Sequence, residues 1–128
     1  MELRDQQLII TCGNETFTGD LVWTAEALGN LLKNCMEHTP AGGTISVTAE
    51  ETALYTAITV EDTGSGFDPA DIPHLFERFY KGSNAAEGSY GIGLALARTI
   101  ITAQNGTIQA MNGSNGARFE VRFYKTVI

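Results

Sequence analysis

A chain of 128 residues is long enough for one compact domain that buries roughly two-thirds of its extended-chain surface. With 43% hydrophobic residues it has the material for a core, which excludes a disordered chain. A formal charge of -7 argues against nucleic acid or an anionic membrane as partner, because both attract basic surfaces.

The first residues, MELRDQQ, lack the apolar core of a signal peptide. A short strand is read over 8–11. Asp20 is placed to cap a helix running to about Thr39, stopped by Pro40 and the pair Gly42-Gly43. Segments 44–50 and 54–62 read as an antiparallel pair, the first alternating as Ile45, Val47, Ala49. Residues 69–80 read as short helical turns, with Phe76 and Phe79 facing together into the core. The small, polar stretch 81–90 reads as a mobile loop. A second long helix is read over 91–104, with Gly106 as its C-terminal cap. Residues 107–111 and 118–123 close the chain as a hairpin. Interleaved helices and hairpin-connected strands predict an α/β sandwich, one mixed sheet with helices on one face.

The longest apolar stretch, 91–103, is interrupted by Arg98 and two glycines and is too short to span a bilayer. The piece is therefore expected to be soluble and intracellular. Cys12 and Cys35 form no CxxC pair, so zinc is not suggested, and they are read as two reduced thiols.

Three constellations carry the chemistry. On the first helix Glu26, Asn30 and Asn34 are spaced by four and line one stripe, with Lys33 and Glu37 on the same side. The opposite side carries Ala25, Leu28, Leu31, Leu32, Cys35 and Met36. Asparagine is a mediocre helix former, and its side-chain carbonyl suits Mg²⁺. Next, Glu61-Asp62-Thr63-Gly64-Ser65-Gly66 ends a strand, where a carboxylate can accept from an exocyclic amine such as that of adenine. Read blandly it is an Asp/Gly turn. Last, Ser89-Tyr90-Gly91-Ile92-Gly93-Leu94 opens the second helix, where backbone N–H groups and the helix dipole favour an anion. Neither a complete G-x-G-x-x-G after a strand nor a P-loop motif occurs. Arg78 and Lys81 lead into the loop and can reach phosphates as it closes.

These segments, in this order, resemble the ATP-binding domains of sensor histidine kinases within the gyrase–Hsp90–kinase–MutL superfamily. Asn30-Leu31-Leu32-Lys33-Asn34 is similar to the N box, Asp62-Thr63-Gly64-Ser65-Gly66 to the G1 box, Leu75-Phe76-Glu77-Arg78-Phe79-Tyr80 to the F box, and Gly91-Ile92-Gly93-Leu94 to the G2 box. The resemblance covers nearly the whole of 1–128 and implies the Bergerat fold, a two-layer α/β (α+β) sandwich whose mixed sheet is mostly antiparallel.

By that resemblance Asp62 binds the adenine amine, Asn34 coordinates Mg²⁺, and Asn30 supports the phosphates of ATP. Gly64 and Gly66 make room for the nucleotide. Residues 81–90 form the lid. Lys81 and Lys33 supply positive charge, and Phe79, Tyr90, Gly91, Ile92, Gly93 and Leu94 line the rest of the site. The implied function is transfer of the γ-phosphoryl of ATP to a histidine on a separate dimerisation domain, within a two-component system that includes a response regulator. His38 and His74 occupy no phosphoacceptor motif. The parent is implied to be a homodimeric membrane sensor, with this fragment cytoplasmic and touching neither membrane nor nucleic acid.

The pattern departs from the family in three places. Glu37 stands where a basic residue is common, Ser89 and Tyr90 precede Gly91 where one more glycine is common, and Ala117 stands where a hydroxyl residue often lies near adenine. An ATPase of the gyrase or Hsp90 type is disfavoured, because Asn30 stands where those enzymes place a water-activating Glu. An anti-sigma-factor serine kinase and a non-catalytic nucleotide-binding regulatory module remain the alternatives.

Overall fold

The structure, a computed structural model, describes residues 6–15, 17, 19–80 and 92–125. The elements run β1 (Gln7–Thr11), α1 (Leu21–His38), β2 (Thr44–Glu51), β3 (Tyr55–Asp62), a single 3₁₀ turn (Ile72–His74), α2 (Ile92–Ala103), β4 (Gly106–Asn112) and β5 (Ala117–Tyr124). The five strands form one sheet in the order β1-β2-β3-β5-β4. β1 pairs with β2 in parallel, with α1 as the crossover, and the other three pairs are antiparallel.

Alternation decides the layers. β5 sends Ala117, Phe119, Val121 and Phe123 inward and leaves Arg118, Glu120 and Arg122 on the other face. Both helices pack on the inward side, where Leu31, Ile45, Val60, Ile101 and Phe119 form the centre of the core. Burying each such side chain contributes about 1.5–3 kcal/mol. On the far face Arg122 pairs with Glu120 at 2.7 Å, and Arg118 lies 3.8 Å from both Glu61 and Glu120; at the end of β2 away from Asp62, Lys125 pairs with Glu51 at 2.7 Å.

α1 begins where expected. Asp20 caps it, its Oδ1 accepting from the Trp23 N–H at 2.9 Å. It ends at Thr39, whose hydroxyl donates to the Cys35 carbonyl at 2.6 Å. The Gln6 amide donates to the Met36 carbonyl at 2.9 Å and to that of Thr39, tying the start of β1 to this end. The buried residues are Thr24, Ala27, Leu31, Cys35 and Met36, with Leu28 and Leu32 partly covered. Ala25 is exposed, contrary to the expected apolar face, because the inward stripe 24, 27, 31, 35 leaves it on the solvent side.

α2 lies antiparallel to α1. The Gln104 amide beyond its end donates to the Thr24 hydroxyl at 3.0 Å, and Gly93 near its start rests against Asn30. Gly106 is not its cap. Asn105 takes the left-handed backbone with φ 62°, a conformation asparagine tolerates, and Gly106 already belongs to β4. Among the described residues no helix is long and apolar enough to cross a membrane.

Candidate functional site

The best-defined corner lies at the end of β3, one of the sheet's interior strands. Asp62 is only 2% exposed. Its Oδ1 accepts from two backbone N–H groups, Gly64 and Ala117, each at 3.0 Å. Its Oδ2 is buried and takes no hydrogen bond from any N–H or O–H among the described residues. A buried acceptor in that state costs free energy until a donor arrives. The carboxylate is thus held at one oxygen and open at the other.

Three neighbours build this corner. Thr63 is tied to Thr44 of β2 in both directions, its hydroxyl accepting from the Thr44 N–H at 2.9 Å and its N–H donating to the Thr44 carbonyl at 3.1 Å. Gly116 lies so close that a Cβ there would stand 2.5 Å from the Asp62 carbonyl oxygen and 2.7 Å from Oδ1. The Asn112 amide brackets Phe67, its Oδ1 accepting from the Phe67 N–H at 2.7 Å and its Nδ2 donating to the Phe67 carbonyl at 3.0 Å. Gly66 turns the loop with φ 81°, in the region that glycine adopts without strain. Gly64 has a packing reason for lacking a side chain, since a Cβ there would stand 2.6 Å from the His38 carbonyl oxygen.

Cys35 of α1 faces the same carboxylate. It is fully buried, and both cysteines are free thiols. Burial first, then the charge of Asp62 and a weak thiol–carboxylate contact, push its pKa well above the usual thiol range.

One turn away on α1, Asn30 is half-buried and sits against the first turn of α2. Its Oδ1 would be 3.2 Å from a Cβ on Gly93, so the two helices touch through a glycine. Asn30 Nδ2 is buried and has no hydrogen-bond partner among the described residues. Asn34 is half-buried one turn on and adjoins Cys35 in sequence. Among the described residues no cluster of His, Cys, Asp and Glu is set to hold a metal. Any metal here would rely on amide oxygen and on oxygens brought by a ligand.

Other expected residues fall differently. Lys33 is exposed, with no carboxylate partner among the described residues. Ile92 is 46% exposed, whereas Leu94 is buried in the core. Lys81, Ser89, Tyr90, Gly91 and the whole lid 81–90 lie outside the described residues.

Phe79 corrects an expectation. Phe76 packs toward the core, with ring centroids 6.3 Å from Phe119, but Phe79 is 58% exposed and carries the Arg78 guanidinium 4.7 Å from its ring centroid. The helical turn stops at His74, and Phe79 has φ 67°, so spacing by three no longer puts two side chains on one side. The segment is closed by other groups. The Tyr80 hydroxyl donates to Asp71 Oδ1 at 2.6 Å, His74 contacts Glu77, and the His74 ring stacks 5.1 Å from that of Tyr80. The hydrogen bond to Asp71 raises the Tyr80 pKa.

Gly116 and Asn112 were not expected as site residues, and Ala117 was expected only as a position near adenine, not for its N–H. They lie at the end of β4, in the β4–β5 turn and at the start of β5, and only the fold brings this turn to Asp62 and the loop after it. The family model "Histidine kinase-, DNA gyrase B-, and HSP90-like ATPase" matches residues 19–127, which takes in all of this geometry. The chain belongs to this ATPase family. Sensor histidine kinase YvrG of Bacillus subtilis is 37% identical over 101 residues, covering 77% of this chain and 17% of that protein. Sensor histidine kinase CusS of Escherichia coli O6:H1 is 37% identical over 107 residues, covering 80% of this chain and 22% of its own. The nucleotide-free catalytic domain of histidine kinase ThkA superposes with a TM-score of 0.84 at 25% identity, covering 95% of this chain and 80% of that one. The chain thus spans about a fifth of the length of these curated relatives and most of a solved catalytic domain. Within the family the domain is an ATP-binding one, and the likenesses are to sensor histidine kinases.

Proposed function

We propose that this domain binds Mg-ATP and transfers its γ-phosphoryl group to a histidine on the dimerisation domain of the same receptor. The observation that carries the reading is Asp62, pinned by two backbone N–H groups at Oδ1 and open at a buried Oδ2. An exocyclic amine is the donor such an oxygen lacks, and a carboxylate accepts but never donates when ionised. Asn30 Nδ2, buried and without a hydrogen-bond partner among the described residues, is a donor of the kind phosphate oxygens accept. Asn34 would give one amide oxygen to Mg²⁺, which keeps water and phosphate oxygens as its other ligands. The ion would supply the charge neutralisation that phosphoryl transfer requires. The chain's own part is to orient the nucleotide.

Several of the described cations are already engaged elsewhere. Arg118 and Arg122 are held in ion pairs on the far face of the sheet, and Lys125 pairs with Glu51 at the end of β2 opposite Asp62. They are not available to a triphosphate on the helix side. Asn34, the ion, and the cations Lys33 and Lys81 carry that burden in this reading. The whole receptor would be a homodimeric membrane sensor acting on a response regulator, with this domain in the cytoplasm.

The test is transfer in trans. The domain is mixed with a separate histidine-bearing dimerisation domain and labelled Mg-ATP, and acid-labile phosphate on the histidine is the expected product. Binding of Mg-ADP without transfer would leave a non-catalytic nucleotide-binding module. Failure to bind the nucleotide would overturn the reading altogether.

A further inference from the structure

α1 is held at its C-terminal end by a side chain from outside the helix. The last carbonyls of a helix have no partners within it. Here the buried Gln6, just before β1, donates from Nε2 to the Met36 carbonyl at 2.9 Å and to the Thr39 carbonyl. Its neighbour continues the grip, the Gln7 N–H donating to the Gly43 carbonyl at 3.0 Å. Both held points touch the Asp62 corner. Between the two carbonyls that Gln6 holds lies that of His38, which a Cβ on Gly64 would meet at 2.6 Å. Next to Gly43, Thr44 is bonded in both directions to Thr63. The Gly64 N–H in turn donates to Asp62 Oδ1.

We propose that Gln6 is a positioning residue for the nucleotide base: by tying the end of α1 to the start of β1, it holds the helix against the loop after Asp62. The inference rests on the assignment of Asp62 to the nucleotide base. Packing alone would be served as well by an apolar side chain of the same length, such as methionine. Two carbonyls that face one amide need its donor. Without it they turn toward water, the last turn of α1 loosens, and the loop that orients Asp62 loses the surface it rests on.

The experiment titrates wild type, Gln6→Met and Gln6→Glu with Mg-ADP by calorimetry, and follows melting of each nucleotide-free protein in parallel. Gln6→Met keeps the length and removes the donor, so it should bind about tenfold more weakly at a temperature where it is fully folded. Gln6→Glu should be as weak near pH ~9 and regain affinity relative to wild type as the pH falls to about 6. A carboxylate cannot donate, its neutral form can, and burial beside two carbonyls raises its pKa. Gln6→Met should show no such recovery. A role in packing alone would lower Tm and leave the affinity of the folded protein unchanged. A folded Gln6→Met protein with wild-type affinity therefore overturns the proposal, as does a Gln6→Glu protein whose deficit is independent of pH. Should neither variant fold, hydrogen exchange in wild type decides. Coupling is reciprocal, so Mg-ADP should slow exchange at the Gln7 N–H more than at the Lys125 N–H, which bonds to Leu54 at the opposite end of the sheet. Equal effects at the two amides overturn the proposal. A wild-type protein that fails to bind Mg-ADP overturns the Asp62 assignment and this proposal with it.

Discussion

The two ends of the candidate site are built from different material. At the Asp62 end the groups come from the end of an interior strand, a turn between two others and the buried face of α1, and backbone hydrogen bonds fix each of them. At the Asn30 end two helices meet through Gly93, and the remaining expected contacts belong to residues 81–91. The first end is rigid by construction and suited to recognising a fixed chemical edge. The second rests, among the described residues, on a contact between two helices at the first turn of α2. In the proposed function, recognition of the base and handling of the phosphates would fall at these two different ends.

Each side of that contrast can be broken. The largest effect is expected at Asp62→Asn, which turns one acceptor into a donor. Mg-ADP affinity should fall about a hundredfold or more by calorimetry, and a loss under threefold would remove the rigid end from the site. Next comes Gly116→Ala, whose Cβ would meet the Asp62 carbonyl oxygen at 2.5 Å. Displacing backbone there should cost about 1–3 kcal/mol of stability. Thermal melting together with a matching drop in affinity would show that the turn builds the corner; an unchanged Tm would show that the corner yields.

Asn34→Ala probes the other end. Affinity measured with and without Mg²⁺ should converge, since the variant removes a metal ligand and leaves the base contact alone; an undiminished metal effect excludes the ligand role. The smallest effect is expected from Tyr80→Phe. The Tyr80 pKa is raised by its bond to Asp71, so the neutral phenol is favoured in the folded protein. Its contribution is present below the ordinary tyrosine value of 10.0 and is lost as pH rises through the folded value. Wild type should lose its excess thermal stability over the variant only in alkali, and a difference independent of pH would dissociate the clasp from the phenol.

Much of this arrangement was legible beforehand because it is local. Strand alternation, the Asp20 cap and the spacing of Asn30 and Asn34 depend on neighbours a few residues away, and the structure agrees with them. The G1 segment, placed at the end of a strand, is found there. What stayed hidden depends on distant contacts. Nothing near Gly116 in the chain announces that Asp62 lies against it, and the stretch around it reads only as the bend of a hairpin. Phe79 misled for a related reason. The helical turn ends at His74 and Phe79 is itself left-handed, so a helical period does not fix where its ring points.

α1 contacts both ends of the site, with Asn30 against Gly93, Cys35 against Asp62 and the His38 carbonyl against Gly64. It therefore acts as a ruler. At about 1.5 Å per residue, some 12 Å of helix separate Asn30 from His38, and no loop interrupts the span to take up an error. Side chains along it can be exchanged one at a time. A single residue inserted between Asn30 and Cys35 would lengthen the gauge and turn Asn30 by about 100° relative to Cys35, so that one end or the other must miss its mark. On α1 the site can therefore be altered by substitution but not by a change of length.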